Sequence, residues 1–107
     1  MDQLTWTKKE KQIASRAFNR SYEKECDSIA KKAHDMSPNI ESPGDIWGLH
    51  DFLTQERRQV DDKYDYRYSR LILVFARLMS EGWLKKEDLD GLKEDKTSRI
   101  VNAAKLL

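Results

Sequence analysis

The sequence predicts an all-α protein, and three observations carry that expectation. Apolar and small residues recur at steps of three and four through most of the chain, which is the period of a helix face. No stretch sustains an alternation of period two, so essentially no strand is expected. Prolines occur only at Pro38 and Pro43, and glycines only at Gly44, Gly48, Gly82 and Gly91, which leaves long segments without a breaker.

Taken in order, the first helix is expected over residues 7–36. Its stripe runs through Ile13, Ala17, Phe18, Tyr22, Cys26, Ile29, Ala33 and Met36, and Thr7 with Glu10 offers a capping box. Thirty residues make a rod of roughly 45 Å. A compact domain of this size would have a radius of gyration of only about 13 Å. Such a rod has apolar surface to spare, and a second copy of the chain is its simplest partner.

Residues 37–44 form the main linker. Ser42 as N-cap, Pro43 at the first helical position and Asp45 in the first turn then start a second helical block over 43–81. Its stripe takes in Ile46, Leu49, Leu53, Val60, Tyr64, Tyr68, Leu71, Ile72, Phe75, Leu78 and Met79. It is either one bent helix or two, and the charged, aromatic stretch from Asp61 to Ser69 is the expected break. Gly82 suits a C-cap. Residues 83–107 read as a short helix closed by Gly91 and a last amphipathic helix from Glu94, with Ile100, Val101, Ala104 and Leu107 on one side.

At 107 residues, one domain is expected. Twenty basic and 19 acidic residues give a net charge of +1, without the basic excess of a nucleic-acid binder. Residues 38–68 alone carry 4 basic and 7 acidic side chains. Cys26 is the sole cysteine, so no intramolecular disulfide can form, and a seat in a helix seam suits it. The start of the chain is polar, unlike a signal peptide, and no run approaches a membrane span. A cytoplasmic protein without membrane insertion is expected.

The chemistry available is that of binding. His34 and His50 are the only histidines, and neither a zinc motif nor a phosphate loop is present, so no metal or cofactor is expected. A nucleophile motif is absent, and His50 and Asp51, as helix neighbours, point about 100° apart, so an enzyme or a small-molecule substrate is not expected. Tyr64, Tyr66 and Tyr68 near Arg67 and Arg70 could stack on single-stranded nucleic acid. Core packing of Tyr64 and Tyr68 is the simpler reading. Trp47 stands apart from the rest. It lies beside the Ile46–Leu49–Leu53 ridge, next to His50 and Asp51, with Arg57 returning to the same side nearly three turns later. Trp and Arg are enriched at interface hot spots. Trp47 is either the rim of a dimer seam formed by that ridge or an anchor for a second protein.

These segments also resemble a known family. The run from Asp45 to Leu53 (DIWGLHDFL), then Arg57, the D-x-K-Y-D-x-R-x-S pattern over 61–69 and the apolar run over 71–78 are similar to the fluorescence recovery proteins of cyanobacteria. The resemblance implies an elongated homodimer of long antiparallel amphipathic helices, each protomer with a small C-terminal helical head. It implies a non-enzymatic regulator that binds the photoactivated orange carotenoid protein, mainly its C-terminal domain, and speeds its return to the resting form. Phycobilisome fluorescence would thereby be restored. The place of action would be cytoplasmic, or peripheral at the cytoplasmic face of the thylakoid.

By the same match, Trp47, His50, Asp51 and Arg57 fall on the partner-binding patch, Leu73 and Arg99 on head contacts, and Ile46 on the dimer seam. Leu73 stands where the family commonly has phenylalanine, and Gly48 where a longer polar residue is expected. The rival reading is a divergent homodimeric adaptor of the same family acting on another protein. A nucleic-acid regulator is disfavoured by the neutral charge.

Overall fold

The computed structural model describes residues 4–107. Its order is α1 (Lys8–Met36), a 3-10 turn (Ser37–Asn39), α2 (Pro43–Lys63), α3 (Leu71–Ser80), a second 3-10 turn (Lys86–Leu89) and α4 (Glu94–Ala104). Helices and turns are the only regular elements among the described residues.

Local chemistry sets the helix ends. The Glu10 amide donates to the Thr7 hydroxyl at 3.1 Å, and the Thr7 amide donates back to the Glu10 carboxylate at 3.0 Å. Ser42 and Asp45 repeat this reciprocal cap at α2, at 3.2 and 3.4 Å, with Pro43 in the first turn. The Glu41 amide, with the Ser42 hydroxyl, holds the Asp45 carboxyl below its usual range. Helix α3 ends in a Schellman turn. Gly82 takes φ +88°, its amide reaches Met79 O at 3.1 Å, and the Trp83 amide reaches Leu78 O at 2.9 Å.

The second block is two helices. Between them, Tyr64 leaves the helix with ψ 73° and packs edge-on against Phe18 and Tyr22, at centroid distances of 5.2 and 5.3 Å. Its hydroxyl donates to Glu25 at 2.9 Å. Burial and the Glu25 carboxylate push that hydroxyl above the ordinary phenol range, so it stays a donor. The aromatic stretch thus exchanges a turn of helix for side-chain packing on α1.

The head core joins Ala14 and Ala17 of α1 to Leu71, Phe75 and Leu78 of α3, Leu84 of the loop after it, Leu89 of the second 3-10 turn and Ile100 of α4, with Trp6 at its edge. The stripe expected on α1 is therefore rotated. The buried face is Glu10, Ala14, Ala17, Ser21 and Glu25, while Tyr22 stays 44% exposed. Small side chains let the head approach the helix closely, and the Ser21 hydroxyl donates to Trp83 O at 3.2 Å. Phe18 and Tyr22 flank that face and cover the tyrosines of the α2–α3 turn. At the head's own turn Gly91 has φ +99°, and a Cβ there would lie 2.6 Å from Ile13 Cδ1, so only glycine fits. Leu107, expected on the apolar side of the last helix, is 69% exposed beyond its end.

Two buried ion clusters tie the helices together. Lys96 of α4 reaches Glu10 of α1 at 3.1 Å, and the Lys93 amide donates to the same carboxylate at 3.0 Å. Burial alone would raise the Glu10 pKa. The amides of Thr7 and Lys93 and the Lys96 ammonium outweigh it and lower the value to about 2. The stability this group contributes is thus full above the ordinary carboxyl value of 4.5 and lost as pH falls towards about 2. Glu10→Gln should lower the urea midpoint at neutral pH, and the deficit should shrink as pH drops through that window. A deficit that stays constant down to pH 2 would remove Glu10 from this role.

The second cluster closes the other side of the head. Lys63, at the end of α2, donates to Glu25 of α1 at 2.5 Å and to Glu81 after α3 at 2.6 Å. Burial is outweighed at Glu81 by bonds from Lys63 and Arg77, and its carboxyl sits below the usual range.

The chain is long, with extents of 54 × 25 × 25 Å and a radius of gyration of 16.9 Å. Beyond the head, α2 runs antiparallel beside the C-terminal half of α1. Only Val60 and Lys63 of α2 are buried.

Candidate protein-docking face

Helix α2 carries the site. Ile46 is 49% exposed, Trp47 62% and Leu53 40%, whereas Leu49 and Phe52 are half-buried against the rest of the chain. The ridge Ile46–Leu49–Leu53 follows i, i+3, i+7 spacing and leads on to Val60, which is buried. Its outer half has no cover among the described residues of the chain.

Trp47 and His50 meet edge to face, with ring centroids 6.1 Å apart and planes at 81°. The tips of His50 and Asp51 lean together, with Nδ1 and Oδ1 3.5 Å apart, although they are helix neighbours expected to diverge. Both are well exposed, at 65% and 71%, and the contact is at the limit of hydrogen bonding. The pair does not make a buried, oriented dyad. The Thr54 hydroxyl donates to His50 O at 2.9 Å, one turn on.

Arg57 has a neighbour on its own helix. Within the chain its Nε lies 3.6 Å from Asp61, one turn later. That is a loose, exposed pair of small energetic weight. It leaves the terminal nitrogens of the guanidinium available for a forked contact.

The structure brings Trp47, His50 and Asp51 together and places Arg57 further along the same helix. Leu73 and Arg99 lie in the head, exposed on α3 and α4, helices that pack on each other. Leu73 borders a cavity of about 410 Å³ that Arg67, Arg70 and Arg77 also line. Sequence reading missed this grouping, because the arginines are spread over a loop and a helix. Arg67 is held by a two-pronged bond to Asp65, and Arg77 by Glu81 at 3.1 Å. No group of three His, Cys, Asp or Glu side chains suited to a metal occurs among the described residues. Among the same residues, no helix is long and apolar enough to cross a membrane.

The model of a family described as photoprotection regulator fluorescence recovery protein matches residues 6–104. The chain belongs to the fluorescence recovery protein family. A relative of that name from Synechocystis sp. PCC 6803 is 39% identical over 101 residues, covering 94% of this chain and 93% of its own length. The solved structure of the Fremyella diplosiphon fluorescence recovery protein superposes with a TM-score of 0.88 at 39% identity, over 94% of this chain and 99% of that one. The Synechocystis structure gives the same TM-score at 38% identity, again over 94% and 99%. The fluorescence recovery proteins are regulators of photoprotection by description, and this chain shares their all-helical fold along almost its whole length.

Proposed function

We propose that this chain binds the photoactivated orange carotenoid protein, mainly through that protein's C-terminal domain, and accelerates its return to the orange form. Phycobilisome fluorescence is thereby restored. The chain acts as a homodimer in the cytoplasm, at the cytoplasmic face of the thylakoid, through Trp47, His50, Asp51 and Arg57 on α2 and Leu73 and Arg99 on the head. Family membership supports the regulatory role. The observation that carries the site is Trp47, 62% exposed on a rigid helix beside His50 and with no cover inside the protomer.

The recovery step makes and breaks no covalent bond. A helper needs only to bind the closing transition state more tightly than the open form. A dimer offering fixed anchors can hold two separated domains near each other and raise their effective concentration. Ile46, Leu49 and Leu53 form the seam of that dimer, and Trp47, a few ångströms round the helix, faces the partner.

Trp47→Ala should therefore leave helicity and dimer mass unchanged while weakening the complex with the photoactivated carotenoid protein by about 2 kcal/mol, near thirtyfold. Titration followed by size-exclusion chromatography checks this. A variant that falls into monomers but keeps its affinity per protomer would place Trp47 in the seam instead.

A further inference from the structure

A second exposed surface lies at the other end of the hairpin. Tyr66 and Tyr68 were expected to be either nucleic-acid stackers beside Arg67 and Arg70 or, for Tyr68, core. They are 37% and 38% exposed, and they face the first turns of α1. With Lys8, Lys11, Arg16 and the uncharged Gln12 and Ser15 they line an open groove of about 510 Å³. Three cations line it and no carboxylate does. Glu10, the nearest acid in sequence on α1, is buried on the opposite face with Lys96.

The aromatic wall of the groove is held in place. Trp6 meets Tyr68 at 5.8 Å, Tyr68 meets Tyr66 at 5.7 Å, and Tyr66 meets Phe18 at 4.8 Å, a run of four rings in contact. The Tyr66 hydroxyl donates to Lys11 O at 3.4 Å, and the Lys11 ammonium sits 5.0 Å from the centre of the Tyr68 ring. Tyrosines fixed in this way lose little entropy on binding. Arginine and tyrosine are also the residues enriched in interface hot spots.

From this combination we infer that the groove formed by Lys8, Lys11, Arg16, Tyr66 and Tyr68 is a docking surface for an acidic protein segment that carries an aromatic side chain. Carboxylates of the segment pair with the three cations, and its ring packs on Tyr66 and Tyr68. Charge complementarity favours an anion. The short track of three cations and a net charge of +1 favour a peptide over a nucleic-acid strand, which needs a longer basic path. Trp47 lies about 40 Å away along the hairpin at 1.5 Å per helical residue, so the groove is a separate surface from the α2 patch.

The test uses the full chain and a capped peptide of five glutamates and one phenylalanine, followed by amide NMR shifts. The expected shifts concentrate at residues 8–16 and 66–68. Affinity should fall about tenfold in Lys8→Glu/Lys11→Glu/Arg16→Glu, and about threefold in Arg16→Glu alone, whose exposed side chain has no ion pair among the described residues. Raising salt should weaken binding in the wild type far more than in the triple variant. Shifts elsewhere, or unchanged affinity in variants with wild-type circular dichroism, would overturn the inference. Tighter binding of a thymidine decamer at the same residues would assign the groove to nucleic acid. Salt-sensitive self-association lost in the triple variant would assign it to a second copy. Either result also overturns the inference, and none bears on the α2 patch.

Discussion

Lys63→Met should destabilise the protein by about 3–5 kcal/mol, a large share of the stability of a small domain. Lys63 is only 4% exposed at its side chain and bonds Glu25 and Glu81, which come from two other elements. Methionine fills a similar volume, so the loss reads the charge rather than a cavity. It leaves two carboxylates facing each other with no ammonium between them. At Glu81 burial would then act without the ammonium that outweighs it, so its carboxyl would rise in the variant, the reverse of the wild-type direction. The deficit should therefore be greatest at neutral pH and shrink as Glu81 takes up a proton on acidification. Denaturant midpoints at pH 7 and pH 4 check both points. A loss under about 1 kcal/mol at pH 7 would show that water replaces the lysine, and the cluster would not be what locks α2 to the head.

Ile46→Glu should convert the protein into monomers. Ile46 is half exposed in the protomer, so the substitution leaves the helical fold intact. In a two-fold seam it would bring a carboxylate and its symmetry mate into an apolar contact, at a cost of about 3 kcal/mol or more, over a hundredfold in the dimer dissociation constant. Light scattering at micromolar concentration reads the outcome. The wild type should show twice the 12.6 kDa chain mass, and the variant close to that mass itself. A wild type at 12.6 kDa, or a variant that remains dimeric, would remove the Ile46–Leu49–Leu53 ridge from the seam.

Much of the local architecture was legible in the sequence, because caps and breakers are local chemistry. Thr7 with Glu10, Ser42 with Asp45, and Gly82 each mark a helix end within four residues of themselves. The break after Lys63 was legible as a place but not as an outcome, since it depends on Tyr64 finding Phe18, Tyr22 and Glu25 on another helix. The buried face of α1 was misread for a related reason. Alanine and serine are neutral in a hydrophobic pattern, and Glu10 and Glu25 look like surface charges. Their partners Lys96 and Lys63 lie 86 and 38 residues away, beyond anything a periodic pattern encodes.

The α2 face was the most readable part, because an aromatic residue, an imidazole, a carboxylate and a guanidinium at helical spacing do not form a core stripe. The Trp47–His50 contact follows from an i, i+3 step. The Arg57–Asp61 pair follows the equally local i, i+4 rule and was within reach of the same reasoning. The groove at Tyr66 and Tyr68 was not, since its cations come from α1, 50 residues or more away in sequence.

The most direct test of the account is the rate at which photoconverted orange carotenoid protein returns to the orange form in the dark, timed alone, with the wild-type chain and with Trp47→Ala at equal concentration. Acceleration by the wild type that is largely lost in the variant, while the variant remains a helical dimer, is the result predicted. Recovery that the wild type does not speed, or that Trp47→Ala speeds just as well, would contradict it.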